Sequence, residues 1–557
     1  MVGGLKSDFL LLLVVSLWVI TLSTFFYLLT RRYSAVKTPC PQSYPLIGNL
    51  IAFLRNRHRL HDWLTDMLTT TPSLTLQLNG FLGLSHGICT ADPTNLEHLL
   101  LSNFHNYIKG SRYTSVLQEL LGTGIINSDG RIRLSQRQFA NDIFNKESMR
   151  TFFSDTVKSQ LSKSLIPHLS SAGDTIDLQQ VLRTFSFDNI CNVAFGFDPC
   201  LLTSNSNNFR HISFFQAFDA AMQHASSRFM SPLPVVWKLK RFFNIGNERK
   251  YKKAVTTVNK FVTDLIKSKE TRNDNKISPD LLSRFVALSL DLGYHDKIEE
   301  RRKFARDMII TFIVAGKDST ATALTWFFWL LDGHPPCKHL IRKEFSMLMT
   351  SCHHTHPLNL TFDDLNNLNY LHAAVSEAMR LFPPIPINSK LAINDDILPD
   401  GTYVEKGWFV DYSAYAMGRM ESVWGSDCRE FKPERWLDGN GVYQRSPLYP
   451  FDYPVFNGGG MTCVGREMAY FQMKLVVVAV MHEFEIEVVG GGGTPEKMVD
   501  PPYSVSVFLS MRNGLPVRVK KRQQSNGSRG KDGRVIITLF GLFLVGLSFY
   551  KHKQRST

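Results

Sequence analysis

The stretch PVFNGGGMTCVGREMAYF, residues 454–471, places one cysteine, Cys463, among glycines and directly before a long apolar segment. Residues 455–456 close a strand-like run, and the pattern predicts helix from Val464 onward. Cys463 is therefore expected at a helix N-terminus, where the macrodipole and the free N–H groups favour a thiolate over a thiol. This position makes Cys463 the first candidate for a metal-ligating residue.

The glycines around Cys463 give the stretch a second property. Because glycine has no side chain, Gly459 and Gly465 allow the backbone, with Phe456 beside it, to lie close to a flat ligand. A thiolate surrounded by glycine backbone and apolar side chains suits a soft metal, and haem iron accepts such an axial ligand. The alternative is an inert buried cysteine beside a glycine-rich turn, and this stretch alone favours neither interpretation.

A second stretch, FIVAGKDSTATALTWFFWLL at residues 312–331, predicts a buried helix. A membrane span is disfavoured because charges in its middle would be costly in lipid. Gly316 removes a side chain, while Asp318, Ser319 and Thr320 supply an acid and hydroxyls, so the helix is expected to carry one polar notch that relays protons. The alternative is that these polar groups only satisfy the nearby backbone.

Two further stretches predict a structural ion network. EAMR, residues 377–380, places Glu377 and Arg380 on one helical face, where they can pair. FKPERW, residues 431–436, offers Arg435 as a third member. Burial of such a network requires full hydrogen bonding, which indicates a structural rather than a catalytic role.

In this order and spacing, the four stretches resemble the cytochrome P450 superfamily of haem-thiolate monooxygenases over residues 39–521. The resemblance implies a mainly α fold with small β-sheets, a helical prism around one haem b. It implies that Cys463 ligates the iron, that the notch of Asp318, Ser319 and Thr320 lies on the oxygen side, and that Arg133 and Arg137 contact the cofactor. It also implies O₂ as a substrate and NADPH-cytochrome P450 reductase as the electron donor.

Several phrases resemble the plant fatty-acid ω-hydroxylase clan more closely, among them residues 186–199, 235–250 and 380–390. The nearest branch oxidises fatty acids or the jasmonoyl-isoleucine conjugate, so the resemblance implies an apolar carboxylate as the substrate. A phenylalanine-rich channel with a cation at its mouth would suit such a molecule. Lys109 and Arg112 are candidates for that cation, with plain surface charge as the alternative.

The sequence departs from the family pattern near the cofactor. Met461 stands where arginine usually pairs with a haem propionate, and a thioether cannot make that charge-assisted bond. Arg133 replaces the usual tryptophan and is expected to compensate through its guanidinium, whereas Arg137 matches the pattern. Ser319 replaces threonine and keeps the hydroxyl. A haem-poor, non-catalytic protein of the same fold is therefore one alternative, and a haem-thiolate isomerase or lyase is another.

The N-terminal part predicts a membrane anchor. Residues 9–30 contain no charge and would extend about 33 Å as a helix, enough to cross a hydrocarbon core of about 30 Å. Arginines follow the run, which indicates a single-pass anchor in the endoplasmic reticulum membrane with a cytosolic catalytic domain. The predicted boundaries are an anchor at 1–31, a proline-rich hinge at 32–44, the monooxygenase domain at 45–522, and a basic linker with a short apolar segment at 523–557.

The charge distribution and the cysteine spacing argue against a nucleic-acid-binding protein and against a protein built on disulfides. The net charge is +14, but the segment from Val517 onward holds +9 of it, so the folded part offers little for nucleic acid and no such partner is expected. The eight cysteines are scattered, which fits free thiols. SCHHTHP, residues 351–357, lacks the spacing of a zinc site and predicts a solvated loop.

Residues 504–519 alternate around an Asn-Gly pair and predict a hairpin.

Overall fold

The structure is a computed structural model. It describes residues 16–22, 38–44, 46–81, 85–203, 209–271, 279–291, 298–444, 451–490 and 502–522.

Helices dominate the described residues. Residues 16–22 are helical (α1). The others are α2 (Leu50–Asn56), α3 (Leu60–Thr69), α4 (Pro93–Glu97), α5 (Gly110–Leu121), α6 (Gly130–Phe144), α7 (Glu147–Gln160), α8 (Ile166–Ser170), α9 (Leu178–Phe195), α10 (Phe209–Phe229), α11 (Pro234–Phe242), α12 (Asn247–Thr271), α13 (Leu281–Asp291), α14 (Ile298–Asp332), α15 (Pro335–Ser351), α16 (Phe362–Asn366), α17 (Asn369–Leu381), α18 (Ala414–Met417), α19 (Glu421–Trp424) and α20 (Arg466–Glu483).

The strands form small sheets. They are β1 (Thr75–Asn79), β2 (His86–Thr90), β3 (Tyr107–Ile108), β4 (Ile176–Asp177), β5 (Ile387–Ala392), β6 (Asp396–Ile397), β7 (Tyr403–Val404), β8 (Phe409–Ser413), β9 (Phe484–Val488), β10 (Tyr503–Ser504), β11 (Ser510–Met511) and β12 (Pro516–Lys521). The largest sheet has the order β1-β2-β8-β5-β3, and β4-β12-β9 form a second. The predicted mainly α fold with small sheets is confirmed.

Helix α14 is the central element of the fold. It packs against α9, α17 and α20, and most of its side chains are buried. Gly316 allows the close approach to α9, because a Cβ at this position would lie 2.7 Å from Cδ1 of Ile190. The glycine that the sequence suggested would open a notch therefore serves helix packing.

The predicted C-terminal hairpin is wrong. β11 and β12 flank Asn513 and Gly514 as expected, but β11 pairs with β10 while β12 pairs with β4 and β9. The cause lies at the start of α9, where the Asp177 carboxylate accepts a hydrogen bond from the Leu515 N–H at 2.9 Å. This bond and the pairing of Pro516 with Asp177 draw the chain after the turn into a different sheet.

The chain divides into two compact units, residues 1–520 and 521–557, and nearly all of the second lies outside the described residues. The predicted anchor at 1–31 is described only at residues 16–22, which are helical and exposed. Among the helices of the described ranges, none combines the length and apolarity that a membrane span needs. The predicted domain boundaries therefore stay predictions.

Candidate active site

Cys463 lies in the loop between two short 3₁₀ turns and α20. The turn Pro454–Phe456 replaces the expected strand-like run, and a second turn spans Gly459–Met461. The Cys463 N–H donates to the Phe456 carbonyl at 2.8 Å, which closes the loop. Helix α20 begins three residues after the cysteine, so Cys463 immediately precedes the helix rather than lying in its first turn.

The structure explains differently why glycine stands at each of three positions in this loop. Gly459 has a left-handed φ of 49°, and a Cβ there would lie 2.1 Å from the Leu100 carbonyl oxygen. A Cβ on Gly460 would lie 3.0 Å from the Phe104 ring. Gly465 differs, because a Cβ there would meet no atom within 4 Å. Of these three, only Gly465 borders open space beside the cysteine, whereas the other two let the loop pack onto protein.

The Cys463 side chain is accessible, although protein atoms surround it on most sides, as expected for a thiol that lines a recess. Burial raises the pKa of the thiol, and the Gly465 N–H, Arg137 and Arg466 oppose that rise without cancelling it. The protein alone therefore favours the thiol, contrary to the expectation from the helix terminus. A coordinated metal deprotonates such a thiol outright.

Two arginines of α6 lie near the cysteine loop. Arg133 is buried, and its guanidinium donates to the Gly460 carbonyl at 2.7 Å. Arg137 is half-buried and interacts with Cys463 through charge, but it makes no hydrogen bond or ion pair with the described residues. Met461 packs against the apolar cluster around β1, β2 and β8. Arg133 therefore fixes the loop one residue before Met461, while the Arg137 guanidinium stays available.

A third cation, Lys390 on β5, has no counterpart among the site residues that the sequence predicted. Its Nζ is buried without a hydrogen-bond partner in the described part of the chain and lies 5.5 Å from the Phe104 ring. Burial, together with repulsion from Arg133, lowers the pKa of Lys390 to about 7. Arg133 lies 5.7 Å from the same ring. Phe104 therefore lies close to two buried basic side chains beside the cysteine loop. The sequence offered only one weak signal for this arrangement, a single lysine in the short strand INSKLA.

The middle of α14 exposes one narrow face. Phe312, Ala315 and Ser319 recur at helical spacing and are accessible, whereas most residues around them are buried. The Ser319 hydroxyl donates to the Ala315 carbonyl one turn earlier. Thr320 is buried. This face is apolar apart from one hydroxyl.

Asp318 lies in a four-membered ion network rather than beside a free hydroxyl. Its Oδ1 accepts from Lys317 Nζ at 2.9 Å and from Arg183 Nε at 3.1 Å. Asp219 of α10 pairs with both cations. Burial would raise the pKa of Asp318, but Lys317 and Arg183 outweigh it and hold the pKa below its usual value. The carboxylate is therefore charged, with two cations as its direct partners.

The predicted network of Glu377, Arg380 and Arg435 is confirmed. Arg380 donates twice to the Glu377 carboxylate, at 2.7 Å each, and Arg435 Nε donates to it at 2.8 Å. Trp436 Nε1 and the Lys432 N–H complete the shell at 2.9 and 3.0 Å. Five hydrogen bonds thus reach a fully buried carboxylate, the full hydrogen bonding that a buried structural ion network requires.

The two candidates for a substrate cation differ in the structure. Lys109 is largely enclosed, and its Nζ donates to the backbone carbonyls of Ile125 and Ile126. Arg112 is nearly half exposed, stacks 3.8 Å from the Phe409 ring centroid and lies 3.7 Å from Asp411 Oδ1. Arg112 is thus the more available of the two.

Comparison with known proteins identifies the architecture around Cys463. Residues 38–512 match the cytochrome P450 family. Cytochrome P450 94A1 of Vicia sativa is 42% identical over 493 residues, which cover 86% of this chain and 90% of that protein. The chain belongs to the cytochrome P450 family. Cytochrome P450 94B1 of Arabidopsis thaliana is 40% identical over 496 residues, covering 87% of this chain and 92% of the relative.

A third relative, cytochrome P450 94C1 of Arabidopsis thaliana, is 39% identical over 468 residues, covering 83% of this chain and 90% of the relative. The predicted superfamily, its plant ω-hydroxylase clan and monooxygenase activity are thereby confirmed. As a cytochrome P450, the chain uses haem, O₂, a small-molecule substrate and a reductase.

The residues of this cytochrome P450 fit a haem. The accessible Cys463 thiol offers a soft ligand for the iron, and a Cβ at Gly465 would meet no protein atom within 4 Å, so the backbone beside the thiol is uncovered. Haem carries two propionate carboxylates, and Arg137 and Lys390 are cations without a hydrogen-bond partner among the described residues. Their number and sign match what two carboxylates require, although arginine is absent at Met461.

Proposed function

We propose that this cytochrome P450 hydroxylates an unactivated carbon at or near the ω end of a fatty acid or a fatty-acid-derived carboxylate. The sequence phrases shared with the plant ω-hydroxylase clan support this substrate class. The structural observation that carries the proposal is the accessible face of α14, which presents Phe312, Ala315 and the Ser319 hydroxyl. Such a face suits an apolar chain end and offers one hydroxyl for proton transfer.

The reaction consumes one O₂ and two electrons from NADPH through NADPH-cytochrome P450 reductase. One oxygen atom enters a C–H bond of the substrate and the other leaves as water, so two protons must be delivered. Haem bound through Cys463 supplies the oxygen activation. Arg133 keeps the cysteine loop in place through the Gly460 carbonyl, and Arg137 and Lys390 are the residues that would hold the haem propionates.

Proton delivery is assigned to the middle of α14. Asp219 is partly exposed, and it connects through Lys317 and Arg183 to the buried Asp318 carboxylate. The neighbouring Ser319 Oγ is on the accessible face. In this proposal, protons taken up at the network pass to the Ser319 hydroxyl, which would exchange its bond to the Ala315 carbonyl for proton donation into the active site.

Arg112 is assigned to the substrate carboxylate. Its guanidinium is partly exposed and its contact with Asp411 is long, so a second carboxylate can reach it. Replacing Arg112 with Gln should raise KM for fatty acids several-fold and leave kcat nearly unchanged, as expected for uniform binding. Lys109→Gln is an unsuitable control, because its Nζ holds two backbone carbonyls.

The test is incubation of the full-length protein with reductase, NADPH and a panel of fatty acids, their methyl esters and amino-acid conjugates of fatty-acid-derived acids. Mass spectrometry should show hydroxylation near the ω end of free fatty acids and weaker turnover of the esters. If only the jasmonoyl-isoleucine conjugate is turned over, that conjugate, the other substrate type of this branch, would replace fatty acids as the assigned substrate. Absence of turnover, despite a haem-thiolate spectrum, would contradict the proposal.

We further propose that the protein is held at the endoplasmic reticulum membrane with its catalytic domain in the cytosol. The uncharged run at residues 9–30 supports an anchor. Helix α11 and the residues after it supply a second apolar surface, with Val235, Leu239, Phe242 and Phe243 between 55% and 81% exposed. Lys238, Lys240 and Arg241 interrupt this surface, a pattern typical of a helix that lies in a lipid interface.

Carbonate extraction of membranes from expressing cells tests this localisation. The wild-type protein should stay with the membrane, whereas the double change Leu13→Arg and Leu17→Arg should release most of it, because each charge is costly at the centre of a span. Val235→Ser with Phe242→Ser in the same assay should leave it membrane-bound, since the anchor persists. Equal retention of the arginine variant would contradict an anchor at 9–30.

A further inference from the structure

Three potential metal ligands meet at the junction of α15 and α16, away from the cysteine loop. Cys352, His354 and Asp364 each offer one ligand atom, and these atoms all lie within 4.8 Å of one another. We propose that Cys352, His354 and Asp364 form a binding site for one Zn²⁺ ion. This proposal is independent of the reaction assigned to the haem site.

The backbone fixes two of the ligands. α15 ends with Cys352 as its C-cap, and His353 adopts a left-handed φ of 54°. The His354 N–H donates to the Met349 carbonyl at 2.9 Å, and the His353 N–H donates to the Thr350 carbonyl at 3.2 Å. This pair of bonds is a Schellman motif, which terminates a helix in one defined conformation. Cys352 and His354 are therefore held on a rigid turn.

The third ligand comes from a second helix terminus. Thr361 and Asp364 form a capping box at the start of α16, in which each side chain accepts from the backbone N–H of the other. The Thr361 N–H donates to Asp364 Oδ2 at 2.8 Å. The Asp364 carboxylate is thus oriented before any ion binds, and preorganisation of this kind favours binding.

Two of the spacings between the groups are close to those of a tetrahedral site, and the ligand atoms of Cys352 and His354 lie within 4.8 Å of each other. Cys352 Sγ lies 3.4 Å from Asp364 Oδ1, and His354 Nε2 lies 3.6 Å from Asp364 Oδ2. Zinc bonds of about 2.3 Å to sulfur and 2.0–2.2 Å to nitrogen or oxygen, at tetrahedral angles, place neighbouring ligand atoms about 3.3–3.6 Å apart. Because the two distances run to different oxygens of Asp364, ion binding requires side-chain rotation that brings one carboxylate oxygen, the sulfur and the nitrogen onto a common centre.

The chemistry of the ligands selects zinc. Thiolate and imidazole are softer than the ligands that Mg²⁺ and Ca²⁺ prefer, and the set of one sulfur, one nitrogen and one oxygen suits Zn²⁺. On binding, the Cys352 S–H bond breaks, a Zn–S bond forms and the proton passes to solvent. The thiolate and the Asp364 carboxylate then neutralise both charges of the ion, and water takes the fourth position.

The neighbouring histidines are occupied or lie outside the group. His356 Nδ1 accepts from the Leu358 N–H at 3.2 Å, and its Nε2 lies 3.7 Å from Glu483. His353 is exposed and belongs to no ligand set among the described residues. The local spacing in SCHHTHP predicted a solvated loop because the third ligand, Asp364, follows a 3₁₀ turn and lies on a separate helix.

Equilibrium dialysis of the untagged full-length holoprotein against Zn²⁺, followed by elemental analysis, tests the site. The wild-type protein should retain one zinc per haem iron at low micromolar free Zn²⁺. Cys352→Ser and Asp364→Asn should each weaken binding at least about tenfold, since even partners outside the first ligand set are worth 10–100-fold. His353→Asn is the matched control, because asparagine tolerates the left-handed conformation and the ligand set is intact.

A thermal scan gives a second readout. Added Zn²⁺ should raise the Tm of the wild-type protein and of His353→Asn, and it should leave the Tm of Cys352→Ser unchanged, because an ion stabilises only a state that binds it. The reduced CO spectrum should be the same in all variants and reports that each one folds. Absence of zinc from the wild type, or equal retention by both ligand variants, would overturn the proposal.

Discussion

Two buried ion networks in this cytochrome P450 contain similar residues but differ in exposure. The network of Glu377, Arg380 and Arg435 has an anion and a principal cation that are both fully buried. In the network of Asp318, by contrast, Arg183 and Asp219 are 31% and 27% exposed.

The difference is the basis for assigning a structural role to one network and proposing proton transfer for the other. Around Glu377 each partner is fixed by further hydrogen bonds, because Arg380 also donates to the carbonyls of Gly418, Cys428 and Glu430. The bonds between Glu377 and Arg380 cannot exchange with water without leaving a buried charge unpaired, and only Asp427, the second partner of Arg435, is partly exposed. Around Asp318 the partly exposed Arg183 and Asp219 can exchange partners with solvent, as the proposed proton entry requires.

The largest loss of stability is expected from breaking the buried network of Glu377, Arg380 and Arg435. Glu377→Gln leaves the fully buried Arg380 without its counter-charge, while Arg435 keeps only its pair with Asp427, and should lower the free energy of unfolding by about 3–5 kcal/mol. Urea unfolding of the holoprotein measures this loss. Glu487→Gln breaks an exposed pair with Lys520 and should cost at most about 1 kcal/mol. Equal losses in the two variants would contradict the structural role of Glu377.

A substitution in the partly exposed network of Asp318 should change the hydroxylation rate more than the free energy of unfolding. Asp318→Asn removes the charged acceptor from α14 and should lower the hydroxylation rate about 100-fold, the lower end of the range for a lost acid–base group. The unfolding free energy should change less than in Glu377→Gln, because Asp219 still pairs with Lys317 and Arg183. A Glu377-like loss of stability with normal turnover would reverse the assignment of the two networks.

A smaller effect is expected in the pH dependence of stability, where His61 differs from both ion networks. His61 is buried between Tyr415 and Tyr503, and burial lowers its pKa to about 4, whereas Glu377 and Asp318 have pKa values below their usual range. Because the unfolded state takes up a proton near pH 6.5 and the folded state only near 4, stability falls as pH drops through that window.

His61→Phe should remove this dependence. From pH 6.5 to 5 the wild-type protein should lose about 1–2 kcal/mol relative to the variant, measured by urea unfolding at both pH values. Both ion networks stay charged in this range, so they contribute nothing to the difference. Parallel pH profiles for the two proteins would show that His61 titrates normally.

The smallest expected change concerns the hydroxyl of Ser319, the residue that follows Asp318. Ser319→Ala should leave the unfolding free energy nearly unchanged and raise peroxide release per NADPH several-fold, because the active site would lose the hydroxyl proposed to deliver protons. Ser319→Thr keeps the hydroxyl and should retain wild-type coupling. If the alanine variant is also fully coupled, then Ser319 takes no part in proton delivery.

The sequence predicted those features whose partners are close in the chain. Glu377 and Arg380 are one helical turn apart, so their pairing could be predicted, and Cys463 was marked by its glycines. The partners of Asp318 on α9 and α10 left no local signal, because packing of α14 brings Arg183 and Asp219 to it.

Lys390 was missed for a related reason. A single lysine in a short strand is usually exposed, and only the sheet register places its Nζ beside Phe104. The hairpin prediction failed because Asp177, far away in sequence, captures the chain after Gly514. Long-range packing therefore accounts for most of what the sequence could not show.

The central claim, that the Cys463 sulfur ligates haem iron, is tested most directly by the reduced CO spectrum of the purified full-length protein beside that of Cys463→Ala. Thiolate ligation predicts a strongly red-shifted Soret band in the wild-type protein and its complete loss in the variant. Cys428→Ala, which removes a buried cysteine elsewhere, should keep the band. A wild-type spectrum without the red shift, or the same band in Cys463→Ala, would contradict the assignment.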